Sequence, residues 1–163
     1  MTQTIMPPST VEVERPKKPA AGKRPAARAL PRVFEGAVTG LRAHDLVTRG
    51  VTVADARNLM KTFTLIGEAQ LYGVLGITPR TMQRRAASAH KTLDPNASDR
   101  ALRLLSVTGQ AIDVLGSQDA AERWLSAPAP GLDRRKPIDL LQSSEGTELV
   151  KTLLTRMDFG VYA

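Results

Sequence analysis

From residue 33 to the last residue, apolar positions recur three and four apart, and alternating apolar–polar runs are essentially absent. That period predicts amphipathic helices and no strands. Residues 33–50 put Val38, Leu41, Leu46 and Val47 near helical spacing and stop at Gly50. Thr52 then stands as an N-cap with Asp55 three residues on, and Val53, Ala56, Leu59, Met60 and Phe63 share one face. A short helix over 67–75 carries Ala69, Leu71, Tyr72, Val74 and Leu75. The longest uninterrupted pattern starts at Ser98 after Asp94-Pro95, presents Ala101, Leu102, Leu105, Ile112 and Leu115, and closes at Gly116. Ser117 caps the next segment, whose inner face is Ala120, Ala121, Trp124 and Leu125. A turn-rich connector, "APAPGLDRRKP", ends in Pro137, which suits the first turn of a short helix "PIDLL". The last helix begins at Ser144 and places Leu149, Val150, Leu153, Leu154 and Met157 on one buried stripe. The fold class is all-α, with no internal repeat.

The stretch "LIGEAQLYGVLGITPRTMQRRAASAH" has more specific punctuation. Gly76 supplies the left-handed residue that a helix-turn-helix needs between its helices, and Ile77 is an apolar plug in that turn. Thr78 is the cap of the second helix and Pro79 its first residue. On a helical wheel Met82, Ala86 and Ala89 face inward and Arg80, Arg84 and Ala87 face outward. Thr81 and Gln83 lie on the flanks, and Arg85 leans toward the inner edge. A recognition helix reads base edges in the major groove, where arginine pairs with guanine and glutamine with adenine. Arg80, Gln83 and Arg84 are therefore expected on base edges, and Thr78, Thr81 and Arg85 on backbone phosphates. Three arginines on an exposed face are commonly just solvated. Cap, turn glycine, plug and outward polar row occurring together favour DNA.

Charge sharpens this picture by its location. The net charge is +7, and Arg15, Lys17, Lys18, Lys23, Arg24, Arg28 and Arg32 fall in one stretch without an acid, leaving 16 basic residues to match 16 acidic ones. Pro16, Pro19, Pro25 and Pro31 lie among them, so residues 1–31 are expected to be a flexible basic arm. Two readings of the arm stand: a solubilising tail, or a polycation adding salt-sensitive phosphate contacts. Cysteine is absent, which fits a reducing compartment. No apolar run is long enough to span a membrane and no signal peptide is recognisable, so a cytoplasmic protein without a membrane partner is expected. No catalytic constellation, phosphate loop or metal-spaced motif can be assembled, with His44 and His90 far apart, so neither enzyme nor cofactor is expected.

The chain's end, "RMDFGVYA", holds two of the six aromatic residues where termini usually fray. Gly160 is expected to break the helix and free Val161 and Tyr162 as a short extended end. Periodicity leaves open whether this end enters the protein's own core or a partner.

"ITPRTMQRRAASAHKTLDPNASDRALRL" and "AIDVLGSQDAAERWLSAPAPGLDRRKPIDLLQSSEGTELVKTLLTRMDFGVYA" together resemble the Xre/MbcA/ParS-type antitoxin family. The specific features are "DRALRL", the "GSQDAAERWLSAPAPGL" run, "KPIDLL", "EG" and the closing "GVYA". The resemblance covers about residues 36–163 and omits the arm. It implies an Xre-like helix-turn-helix domain, taken here as 32–105, followed by a toxin-binding domain, 106–163. It further implies a RES-domain toxin that depletes NAD, blocked by covering its active-site entrance, and an operator at which the complex represses its own operon as a homodimer. On this reading the tail, Met157, Phe159, Gly160, Val161, Tyr162 and Ala163, binds the toxin. Arg134 and Arg135 of the connector, with Lys136 beside them, are assigned to an acidic toxin rim. Trp124 is included as an anchor of the same half, with a purely core role as the alternative. The rival function is a stand-alone helix-turn-helix regulator whose C-terminal half only dimerises.

Overall fold

Helices follow one another from Gly40 with short connections: α1 (Gly40–Arg49), α2 (Val53–Thr62), α3 (Glu68–Leu75), α4 (Pro79–Ala86), α5 (Pro95–Leu115), α6 (Gln118–Ser126), a 3-10 turn (Pro130–Leu132), α7 (Pro137–Leu140) and α8 (Ser144–Asp158). This computed structural model describes residues 40–88 and 91–161. The expectations placed on the arm (1–31), Val38, Ala89, His90, Tyr162 and Ala163 lie outside the described residues. Among the described residues extended pairing is confined to two isolated bridges, Thr52 with Thr92 and Ala129 with Arg135. The fold is all-α, with the helix-turn-helix in the N-terminal half and a helical C-terminal half. Among the described residues no helix is long and apolar enough to cross a membrane.

Caps set the helix starts. The Thr52 hydroxyl accepts the Asp55 amide at 3.1 Å, and that of Ser117 accepts the Ala120 amide at 3.2 Å. α8 begins at Ser144 as expected, capped by Ser143, which accepts the Gly146 amide at 3.0 Å. α5 departs further from expectation. It begins at Pro95, with Asp94 as the cap accepting the Ala97 amide at 2.9 Å. Ser98, expected to open the helix, is instead fully buried inside its first turn. Its hydroxyl donates to the Asp94 carbonyl at 2.9 Å and accepts the Val51 amide at 3.0 Å. An Asp-Pro pair is itself a cap followed by a first helical residue, which moves the boundary back.

α5 is the centre of the molecule. It packs against α1, α3, α6 and α8 and buries Leu104, Val107 and Ala111 as well as the expected Ala101, Leu102 and Leu105. One continuous helix therefore runs through position 105, where the sequence leads one to expect a boundary between two domains. The α2 face is as expected, with Val53, Ala56, Leu59, Met60 and Phe63 all buried.

Two apolar residues expected inside are outside. Leu41 is 82% exposed and Leu149 is 58% exposed. α8 buries a narrow line through Val150 and Leu154, with Leu153 and Met157 half-buried, and Leu149 stands about 100° round from Val150. Ala69 of α3 is exposed as well.

The two halves are joined by a polar clamp. Glu122 on α6 is fully buried, and its carboxylate accepts the amides of Thr64 at 2.8 Å and Leu65 at 2.6 Å in the loop leading to α3. The Gln118 side-chain amide donates to the same carboxylate at 2.8 Å and to the Thr62 carbonyl at 2.6 Å. A buried charge is tolerated when hydrogen bonds replace its water. Here three donors do so.

Candidate nucleic-acid interface and carboxy-terminal surface

The turn between α3 and α4 is built as the sequence suggests. Gly76 sits at φ 67°, in the left-handed region, with its amide donating to the Gly73 carbonyl at 3.1 Å and the Ile77 amide to Tyr72 at 3.2 Å. This pair of bonds is a Schellman end, which requires the left-handed residue. The Arg100 guanidinium from α5 lies where a β-carbon on Gly76 would stand, so a larger residue would have to displace that side chain as well as adopt the left-handed backbone. Ile77 is buried beneath the turn.

Thr78 caps α4, accepting the Thr81 amide at 3.1 Å, and the two hydroxyls lie 3.0 Å apart. Met82 is fully buried and Ala86 half-buried, while Arg80, Gln83 and Arg84 are exposed. Arg80 and Arg84 form no ion pair among the described residues. Thr78 is exposed and Thr81 half-buried beside them. These five residues run along α4 from its cap to its last turn.

Arg85 is placed differently. Its guanidinium donates to the Thr92 carbonyl at 3.1 Å and pairs with Asp94 at 3.2 Å, tying the end of α4 to the cap of α5. The side chain expected on phosphate is engaged by the protein. The wheel had already tilted it toward the inner edge.

In the C-terminal half Trp124 is half-buried and packs against the core, holding α6 in place. The connector is a closed turn. The Ala129 amide donates to the Arg135 carbonyl and the Arg134 amide to the Ala129 carbonyl, each at 3.0 Å, and the Arg135 amide donates to Leu132 at 2.9 Å. Asp133 and Arg134 stand at φ 53° and 58°, a conformation that costs a non-glycine residue roughly 1–2 kcal/mol. Arg134, Arg135 and Lys136 are all exposed.

At the end of α8, Met157 is half-buried, Phe159 is 76% exposed and Val161 is 59% exposed. Gly160 at φ 69° ends the helix as expected, but Val161 is not simply released. Its amide donates to Arg156 at 2.9 Å, and that of Gly160 donates to Met157 at 3.1 Å, a second Schellman end. Phe159 and Val161 are presented on a hydrogen-bonded turn.

Sequence reasoning passed over Glu122, Gln118 and Arg100. A glutamate in mid-helix reads as solvent-facing, and nothing local marks it as the cap of a loop more than fifty residues away.

Comparison with known proteins matches each half. Residues 42–106 match the antitoxin Xre-like helix-turn-helix domain, and residues 110–160 match the antitoxin Xre/MbcA/ParS C-terminal toxin-binding domain. The chain is 29% identical over 120 residues to Antitoxin Xre of Yersinia enterocolitica, spanning 73% of this chain and 80% of that one. It is 27% identical over 127 residues to the Prs ADP-ribosylating antitoxin of Sphingobium sp. strain YBL2, spanning 72% and 79%. The helix-turn-helix answers to DNA and the C-terminal domain to a toxin, and the protein is a regulatory binding protein and not an enzyme. With both domains present in order on one helical scaffold, the chain belongs to the Xre/MbcA/ParS antitoxin family.

Proposed function

We propose that this antitoxin neutralises a RES-type, NAD-depleting toxin by covering the entrance to its active site, and that it represses its own operon as a DNA-bound homodimer in the cytoplasm. The observation that carries the first part is the exposed apolar end, Phe159 and Val161, held on the terminal turn of α8. An apolar anchor on a rigid element loses little conformational freedom when it enters a pocket, and such anchors dominate binding energy. Met157, Phe159, Gly160 and Val161, continued by Tyr162 and Ala163, are assigned to the toxin cleft, and Trp124, half-buried on α6, is assigned to the same toxin-binding half. One relative is named for ADP-ribosylation of Prs, and ADP-ribosyl transfer draws on NAD, which agrees with a partner cleft shaped for that nucleotide.

For the second part, Arg80, Gln83 and Arg84 are assigned to base edges and Thr78 and Thr81 to phosphates. Arg85 acts through Asp94 by holding α4 in place. The test of inhibition is a chain ending at Met157, co-expressed with the toxin encoded beside it. Growth should be lost while helical content is kept. Continued rescue of growth by the shortened chain would remove the tail from the mechanism.

A further inference from the structure

We infer that Arg134, Arg135 and Lys136 contact the DNA backbone beside the groove read by α4, so that the toxin-binding half supplies part of the DNA interface. The inference rests on the DNA-binding role of the helix-turn-helix. It reassigns a basic connector that sequence alone attached to the toxin.

The geometry starts from where the connector leads. Its Gly131 end packs against Leu153 of α8, and its Lys136 end runs directly into α7, which packs on α3. The Asp139 amide donates to the Lys136 carbonyl at 3.1 Å, and the Asp139 carboxylate lies 3.5 Å from the side-chain amide of Gln70. Gln70 belongs to the first turn of α3, its own amide donating to Gly67 at 3.0 Å. Lys136 is thus two hydrogen bonds from the first turn of α3. When a helix-turn-helix docks, its second helix lies in the major groove and its first helix crosses the backbone. The helix into which the connector runs accordingly packs on the element that meets phosphate.

The chemistry fits that position. The three consecutive cations are exposed and form no ion pair among the described residues. Asp133 is the one acid on the turn itself, exposed beside three cations, and Asp139 faces Gln70 at 3.5 Å. The left-handed backbone at Asp133 and Arg134 is held by the bonds from Arg134 to Ala129 and from Arg135 to Leu132. The turn therefore adds little backbone ordering cost on binding. Its contribution is electrostatic and independent of base sequence.

The test uses the full-length chain, a duplex carrying the region upstream of its own gene, and a random duplex of equal length. Binding of both is measured across a salt series for the wild type and for the triple variant Arg134→Gln, Arg135→Gln, Lys136→Gln. Each lost phosphate contact lowers the slope of log affinity against log salt by about 0.9, so the triple variant should be shallower by about 2 to 3 on both duplexes. The charge-conserving variant Arg134→Lys, Arg135→Lys should keep the wild-type slope, and affinity for the co-purified toxin should be unchanged throughout. A wild-type slope in the triple variant overturns the inference, and if toxin affinity falls instead, the connector's partner is the acidic toxin rim. Arg80→Ala with Arg84→Ala separates the two levels: if that variant loses the upstream duplex while the triple variant keeps its slope, only the inference fails. If the wild type binds neither duplex, the DNA-binding reading fails with it.

Discussion

The carboxylate of Glu122, on the second helix of the toxin-binding half, accepts the backbone amide of Leu65 at 2.6 Å, in the loop that leads into the helix-turn-helix. Thr64 donates to the same oxygen at 2.8 Å, and Gln118 holds the other oxygen while gripping the Thr62 carbonyl. The DNA-binding half is therefore seated by a side chain that belongs to the other half.

Glu122→Ala would leave two loop amides without their acceptor and Gln118 without its partner. Losing a buried charged acceptor costs about 2–4 kcal/mol, and urea unfolding followed by circular dichroism should register a loss of that size. Amide exchange at Thr64 and Leu65 should speed up with it. Unchanged exchange at both amides would show that the clamp does not hold the loop.

Gly76→Ala tests the turn. The left-handed backbone alone costs alanine roughly 1–2 kcal/mol, and the Arg100 side chain must move aside as well. A lower urea midpoint is expected, together with weaker DNA binding because α4 starts from this turn. Gly73→Ala, in mid-helix with open space around it, should be neutral or stabilising by comparison.

Within α4 the arginines should separate by role. Arg80→Ala with Arg84→Ala should cost specific binding about 1–3 kcal/mol per base contact, read by electrophoretic mobility shift, and leave the melting temperature unchanged. Arg85→Ala should lower stability by no more than about 1 kcal/mol, since its pair with Asp94 is about one-third exposed. Equal effects of all three on stability would dissolve the distinction.

Phe159→Ala should leave stability within about 0.5 kcal/mol, because the ring is 76% exposed. Binding of the toxin should weaken by about 2 kcal/mol, roughly thirty-fold, if the ring is an anchor. Calorimetric titration of the toxin with both chains measures this directly.

Tyr72 gives a pH signature. Burial, then the charge and hydrogen bonding of Glu68, push its phenol above the ordinary value of 10.0, while Arg57 opposes. A folded value raised above the unfolded one contributes stability below pH 10, which is lost as pH rises through the raised value. Tyr72→Phe should therefore lose less stability than the wild type between neutral pH and the alkaline range above 10. Parallel stability curves for the two proteins would contradict it.

The residues that shape each helix were legible in the sequence because their interactions are local. Thr52, Thr78 and Ser117 cap amides three residues away, Gly76 and Gly160 take the left-handed conformation at helix ends, and Met82 lies opposite Arg80 and Arg84 through the pitch of one helix. Even the missed boundary at Pro95 was local, a cap read one turn late. What lies across from a helix face has no such signature. Leu149 is exposed and Val150 buried on neighbouring positions of one stripe, because only the line through Val150 and Leu154 meets a partner. Glu122 is buried and Glu145 exposed because amides more than fifty residues away reach only Glu122, and Arg85 is paired while Arg84 is not because Asp94, beyond the end of α4, reaches only one of them. Periodicity and capping are energies among residues within about four positions, and they determined the helices and the outward row of α4. Burial and pairing are energies between helices, and only the tertiary structure could seat Leu65 under Glu122 and bring Asp139 of α7 to Gln70 of α3.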